Sequence, residues 1–392
     1  MISFENTEIA FKSKSDADLN RAFWLFKIVG NPTIVKIGKW STNTALKLKL
    51  PINNLIKKTI FQQFCGGETI QECRKTIELL GKYEIGTILD YSVEGKTREE
   101  DFDATVAEII ATIHEAKTST NIPFAVFKTT GISRFSVLEK ANESFENLSE
   151  KDKKELDKTI ERVDKICSAA HACNVPVFID AEETWIQDTI DRIAMEMMER
   201  YNTERAIVYN TVQMYRHDRL DFLARVIAIA AEKKIKYGVK LVRGAYMEKE
   251  RERALKMGYV SPIQPTKKAS DTDFNKALEL LITHLENVAL CAGSHNEESA
   301  NILVELMDKY NVKKEDERIY FAQLLGMSDP ISYNLSHAGY KVAKYVPYGP
   351  VHEVMPYLLR RADENTSVAG QTSRELSLLT KEKERRSQQK RK

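Results

Sequence analysis

Two short stretches carry most of the chemistry legible in this chain. The first, VKLVRGAYMEKER (Val239–Arg251), sets Lys240 and Arg243 among Val239, Leu241 and Val242. Unpaired buried charge is costly, so two cations in an apolar run read as ligands for an anion or an electron-rich ring. Gly244 and Ala245 have almost no side chain and would let a flat ligand lie against the backbone, with Tyr246 as an amphipathic wall. The second stretch, YLLRRADENTS, puts Tyr357, Arg360, Arg361 and Glu364 on adjoining faces of one helix, at spacings of three and four. Paired arginines suit a carboxylate, because each guanidinium can hold it through two parallel N–H groups, and Glu364 would orient one of them. Lys128 in AVFKTTG reads either as a Schiff-base lysine or as an ion-pair partner of Asp180 or Glu182. His295 in AGSHN reads as a hydrogen-bonding histidine, because no H-x-H or H-E-x-x-H accompanies it and no metal site is indicated. The chain has no G-x-S-x-G, Walker loop or G-x-G-x-x-G, so neither a P-loop nor a Rossmann turn is supported. Together these residues describe a site for a small carboxylate and something flat and anionic.

The elements that must position them are eight β-rich runs: 84–92, 123–131, 176–183, 206–215, 237–246, 287–295, 319–327 and 341–349. They alternate with amphipathic stretches such as TVAEIIATIHEAK and RLDFLARVIAIAAEKK, which implies parallel pairing. Nearly every run ends in polar or reactive groups: Asp90, Lys128, Asp180 and Glu182, Gln213, Arg243, Ser294 and His295, Gln323, Tyr345. An open sheet would concentrate such groups at one switch point, whereas a closed (β/α)8 barrel of the TIM type gathers all strand ends on one face. The barrel is therefore expected over 84–370. Residues 1–83 read as a helical N-terminal region, with apolar spacings such as Leu46 and Leu50, or Ile56, Ile60 and Phe64. Residues 371–392 read as a helical or frayed basic tail, and 132–175 as extra helix.

Composition narrows the function classes. With 392 residues, 42% of them hydrophobic, and a net charge of +2, the chain can build a large core and is not shaped for nucleic acid. Five cysteines without a C-x-x-C suggest a reducing compartment, and the N-terminus lacks the apolar segment of a signal peptide. A cytoplasmic protein is expected, with peripheral membrane contact through the AFWLF segment or the basic tail as candidate modes.

The motifs KLVRGAY, DAEE, TVQMYRHDR, GSHN, QLLGM, YVPYG and YLLRRADENTS, in this order over about residues 84–370, closely resemble those of the FAD-dependent proline dehydrogenases. The resemblance implies oxidation of L-proline to Δ1-pyrroline-5-carboxylate, hydride transfer to FAD and onward passage of electrons to a quinone. It implies that Lys128, Tyr246, Leu325, Tyr345, Tyr357, Arg360 and Arg361 hold proline, with the carboxylate on the arginine pair. It also implies catalytic roles for Asp180 and Lys240, and contacts to FAD from Gln213, Lys240, Arg243, Gly244, Ala245, Ser294, His295 and Glu364. In that reading the charges of Lys240 and Arg243 are needed only once the cofactor is present, and Glu94 stands near an acid that gates the site. Two departures stand out. Many bacterial relatives read R-x-x-K-G-A-Y-W where this chain has K-L-V-R-G-A-Y-M, so the cations are exchanged and Met247 replaces an aromatic. The length leaves no room for the aldehyde dehydrogenase of bifunctional members, so a separate pyrroline-5-carboxylate dehydrogenase is expected downstream. Competing readings are a hydroxyproline dehydrogenase, which the bulk of Tyr345 opposes, a Schiff-base lyase using Lys128, and a non-catalytic binding protein.

Overall fold

The computed structural model describes residues 2–31, 33–36, 38, 56–93, 96–367 and 369–391, the side chains of 362–371 excepted. Eight strands, β1 (Ile85–Tyr91), β2 (Phe124–Lys128), β3 (Val177–Asp180), β4 (Val208–Gln213), β5 (Tyr237–Val242), β6 (Val288–Gly293), β7 (Ile319–Leu324) and β8 (Val342–Tyr348), form a closed, all-parallel barrel in chain order. β8 closes on β1 through a seven-residue register from Ile85↔Val342 to Tyr91↔Tyr348. At least one helix follows each strand, as the alternation of patterns predicts. Each helix buries a stripe; Thr184–Tyr201, for example, buries Ile186, Ile190, Ile193 and Met197 at spacings of four, three and four. The expected runs overshoot the strands at their carboxyl ends. After Asp180 the chain leaves the sheet and starts the next helix at Thr184, whose N–H and hydroxyl both donate to the buried Glu250 at 2.7 Å.

Strand parity divides the barrel interior into a floor and a site. Ile88, Phe124, Val126, Phe178, Tyr209, Ala289, Cys291, Ala322 and Ala343 pack inside the barrel. The rings of Phe124 and Phe178 stack with centroids 4.4 Å apart, and Tyr209 and Tyr320 meet Phe124 edge-on. The floor dictates glycine in β5, since a Cβ on Gly238 would lie 2.5 Å from the Val208 carbonyl and 2.7 Å from the Tyr209 ring. One step of parity higher, the inward positions become charged, which is where the site begins.

The two ends of the chain pack together outside the barrel. The tail is helical over Ala369–Gln389, and its Leu378 and Leu379 share a cluster with Leu19, Ala22 and Phe26 of the helix Asp16–Val29. Much of its positive charge is matched within the chain: Arg374 pairs with Glu5 at 2.6 Å, Arg385 with Glu8 at 3.3 Å and Arg386 with Asp16 at 2.9 Å. Among the described residues no helix is long and apolar enough to cross a membrane. Leu46 and Leu50 lie outside the described residues.

Residues 56–67 belong to the N-terminal region but build the mouth of the barrel. Ile56, Phe61 and Phe64 pack with Met327, Val354, Met355, Tyr357 and Leu358, beneath the helix Met355–Ser367 that carries the arginine pair. Gly66 N–H donates to the Pro347 carbonyl at 2.9 Å, extending the end of β8. Gln63 Nε2 donates to the Gly326 carbonyl at 2.9 Å, holding the loop after β7. Gly326 has φ +75°, and a Cβ there would lie 2.1 Å from the Gln63 carbonyl oxygen. Gly326→Ala should therefore destabilise the protein by about 1–3 kcal/mol or more, read as a lower urea midpoint. An unchanged midpoint would contradict this packing.

Candidate active site

The inward residues above the floor form a charge-balanced network at the carboxyl ends of β1, β2, β3, β5 and β8. Lys128 and Asp180 are partners in the β2–β3 register. Asp180 accepts from Lys240 through Oδ1 and from the Tyr345 hydroxyl through Oδ2 at 2.6 Å. Lys128 Nζ lies 3.9 Å from Asp180 and 3.5 Å from Asp90 Oδ2, and Asp90 in turn accepts from the Ser92 hydroxyl. The Lys240 ammonium also sits over the rings of Tyr345 (4.8 Å) and Phe178 (5.4 Å). Burial opposes ionisation of Asp180, but the ammonium groups of Lys240 and Lys128 outweigh it and hold its pKa below the usual value. At Asp90 burial wins over Lys128, and the pKa rises. Burial, with Asp180 beside the hydroxyl, keeps Tyr345 protonated.

A cavity of about 650 Å³ opens over this network, lined by Lys128, Thr130, Glu182, Tyr246, Lys249 and Arg360 among others. Arg361, one residue on, is buried, with its guanidinium 5.0 Å from the centre of the Tyr357 ring. Leu325 is half-buried and its N–H donates to the Tyr345 carbonyl at 2.8 Å, so it sits beside that tyrosine. Of the substrate residues inferred from the sequence, Lys128, Tyr246 and Arg360 line the cavity, Tyr345 belongs to the network through Asp180, and Arg361 packs with Tyr357. Glu182 and Thr130 were not among them. The Glu182 carboxylate accepts from the Thr130 N–H at 3.0 Å and from its hydroxyl. Burial pushes the Glu182 pKa up to about 7 against these two bonds.

The remaining residues form an arc over β4, β5 and β6. Gln213 Nε2 donates to the Glu182 carbonyl at 3.0 Å, while its buried Oε1 has no partner among the described residues. Arg243 donates to Asp271 (2.6 Å), Ser294 (2.8 Å) and Ser299 (2.9 Å), and packs on Phe274. His295 Nδ1 meets the Ser328 hydroxyl at 2.9 Å; burial, then Lys344, Arg361 and Arg243, lowers its pKa to about 3 and keeps the ring neutral. Gln323 ties the arc to β7, donating to the Ser294 carbonyl at 3.0 Å. Ala245 is exposed. Glu94 and the Glu364 side chain lie outside the described residues.

One expectation needs correction. The charges of Lys240 and Arg243 do not wait for a ligand, because Asp180 and Asp271 already balance them. These partners are distant in sequence, which is why the local pattern did not supply them. Gly244 also answers to the protein's own packing: at φ +130° a Cβ would lie 2.5 Å from the Tyr215 ring.

The family model described as "Proline dehydrogenase" matches residues 73–374. Proline dehydrogenase 1, mitochondrial, of Dictyostelium discoideum is 35% identical over 97% of this chain and 74% of its own length. The chain belongs to the proline dehydrogenase family. A hydroxyproline dehydrogenase of Xenopus laevis is 30% identical over 96% of this chain and 88% of its own. Among solved structures, proline utilization A of Bdellovibrio bacteriovorus, inactivated by N-propargylglycine, superposes with a TM-score of 0.72 over 92% of this chain. At 18% identity that likeness is one of fold, and this chain spans 38% of that longer chain.

The network makes a stability prediction. Removing one partner of a buried ion pair strands the other, so Asp180→Ala should cost about 3–5 kcal/mol, whereas Tyr345→Phe should cost about 1 kcal/mol. The folded pKa of Asp180 lies below its ordinary value of 3.8, so its contribution is complete above that pH and disappears as pH falls through the folded value. Urea titrations from neutral to acid pH read both; equal midpoints for the two variants would refute the pairing.

Proposed function

We propose that this protein oxidises L-proline to Δ1-pyrroline-5-carboxylate, with FAD as the hydride acceptor and a quinone taking the electrons onward. The observation that carries this reading is the mouth itself: Arg360, from the helix that also carries Arg361, lines a cavity shared with Lys128 and Tyr246, above a network fixed by Asp180 and Tyr345. Arg360 and Arg361 bind the substrate carboxylate, with Lys128 adding positive charge. Tyr246, Tyr345 and Tyr357 enclose the apolar ring, and Leu325 caps it.

The donor set fits a flavin. Gln213 Oε1 is a buried acceptor left over for an N–H edge, and Lys240 is a fixed cation in the network, held by Asp180 so that it cannot swing away. Arg243, Ser294 and His295 form a polar rim suited to phosphate, and Glu364 is assigned to the same cofactor. When bound, the flavin supplies the hydride acceptor, chemistry that no side chain here can provide. Asp180 sets the orientation of Lys240 and Tyr345 together, so its catalytic role is one of holding charge in place.

Two alternatives fit less well. Lys128 is held between two carboxyl groups, 3.5 Å from Asp90 and 3.9 Å from Asp180, rather than in the apolar, unpaired setting that suits a Schiff-base lysine. Tyr345 is buried and its hydroxyl is tied to Asp180, so it cannot yield to a hydroxyl on the substrate ring, which favours proline over hydroxyproline.

The purified protein should show a flavin spectrum that bleaches on anaerobic addition of L-proline. A flavin spectrum unmoved by proline would withdraw the substrate, and a colourless protein unable to take up FAD would withdraw the function. Arg361→Met should retain flavin but lose about 100-fold or more in kcat/KM for proline; near-normal kinetics would overturn the carboxylate assignment. Tyr345→Ser should raise the hydroxyproline-to-proline ratio of kcat/KM, and an unchanged ratio would remove this tyrosine as the discriminator.

A further inference from the structure

Proline enters solution chemistry as a zwitterion, and the mouth described above accounts for only half of it. The arginine pair matches the carboxylate. The secondary ammonium needs an anion within reach, and it must lose a proton before the neighbouring C–H bond can release hydride, because the nitrogen lone pair drives that release. Among the described residues, Glu182 and Glu183 line the cavity, and Asp90 and Asp180 flank its Lys128. Asp180 is committed through both oxygens to Lys240 and Tyr345. Asp90 is taken by Ser92 and faces Lys128, below the mouth. Glu183 pairs with Lys249. Glu182 differs: it is buried, it lines the cavity beside Lys128, Tyr246 and Arg360, and among the described residues it is in no ion pair.

We propose that Glu182 is the counter-ion of the substrate ammonium and the acceptor of its proton. This rests on the reading of the substrate as proline. The proton on nitrogen passes to a Glu182 carboxylate oxygen. The freed lone pair forms the C=N bond as the ring C–H bond on the far side of nitrogen from the carboxylate breaks, with both electrons of that bond leaving as the hydride a bound flavin would accept. The product nitrogen keeps its second proton as an iminium and loses it to solvent to give the neutral imine. Glu182 then releases its proton to solvent through the open mouth. Thr130 holds both carboxylate oxygens with its N–H and hydroxyl, leaving their other lone pairs for the substrate. The titratable and charged groups that share the cavity with Glu182 are Lys96, Lys128 from β2, Arg134, its neighbour Glu183, Tyr246, Lys249 from the helix Met247–Met257 and Arg360 from the helix after β8. Its elevated pKa, about 7, agrees with this role, since a base works best when its pKa lies near the working pH.

The test uses the flavin-loaded protein and has one readout independent of turnover. Isotope-edited infrared spectra of protein carrying ¹³C-labelled glutamate carboxyls should show protonated-carboxyl absorption that disappears near pH 7; Glu182→Gln should lose part of it, leaving the share of buried Glu375, which is also pushed up to about 7. In stopped-flow reduction by proline, wild type should lose rate as pH falls through 7, because protonated Glu182 accepts nothing. Glu182→Gln should lose about 100-fold or more at neutral pH and recover only as pH approaches the pKa of free proline. Its affinity for tetrahydro-2-furoate, a ring carboxylate without an N–H, should persist. Thr130→Val retains the carboxylate but removes one stabilising bond, so its acid limb should move to higher pH. A Glu182→Gln variant that keeps the wild-type acid limb, or a Thr130→Val limb that does not move, would overturn the proposal while leaving proline oxidation intact. Wild type that proline cannot reduce would instead sink the functional reading itself.

Discussion

The arrangement depends on one buried carboxylate. Asp180 lies inside the barrel with Lys240 on one oxygen, Tyr345 on the other and Lys128 just beyond. No member is tolerable alone: an ammonium without Asp180 would be an isolated charge in a low-dielectric interior, and Asp180 without its cations would be protonated. Because the members come from β2, β3, β5 and β8, the network also fixes the relative heights of those strand ends. The same contacts that offset these buried charges hold Lys128, which lines the cavity, against the network below it.

That arrangement explains how much was legible in the sequence. The eight runs and their spacing give the barrel, because parallel strands buried on both faces read as apolar stretches between amphipathic helices. That Tyr357, Arg360 and Arg361 share one helix was legible because helical spacing of three and four is local. Asp90 and Glu182 were also within reach, since each lies two residues beyond an inward neighbour, Ile88 and Asp180, and strand parity carries over one step. What local pattern cannot supply is the identity of distant partners. Asp271 stands 28 residues from Arg243, and Tyr215 stands 29 before Gly244, so a cation and a glycine both looked like ligand contacts when each also answers to the protein's own packing.

The N-terminal region shows a related limit. Helical character was expected there, and the described helices bear it out, but nothing in spacing says that Gln63 would reach the loop after β7 or that Phe64 would pack under Tyr357. These contacts make residues 56–67 part of the mouth. Changes there should be felt first in how the arginine-bearing helix sits, before they are felt in the barrel.

The aromatic floor has a consequence for traffic. Phe124, Phe178, Tyr209 and Tyr320 pack stacked and edge to face across the floor, so these rings close the base of the barrel. Anything approaching Asp180 from below would have to part this stack, which leaves the carboxyl-end rim as the approach to the network.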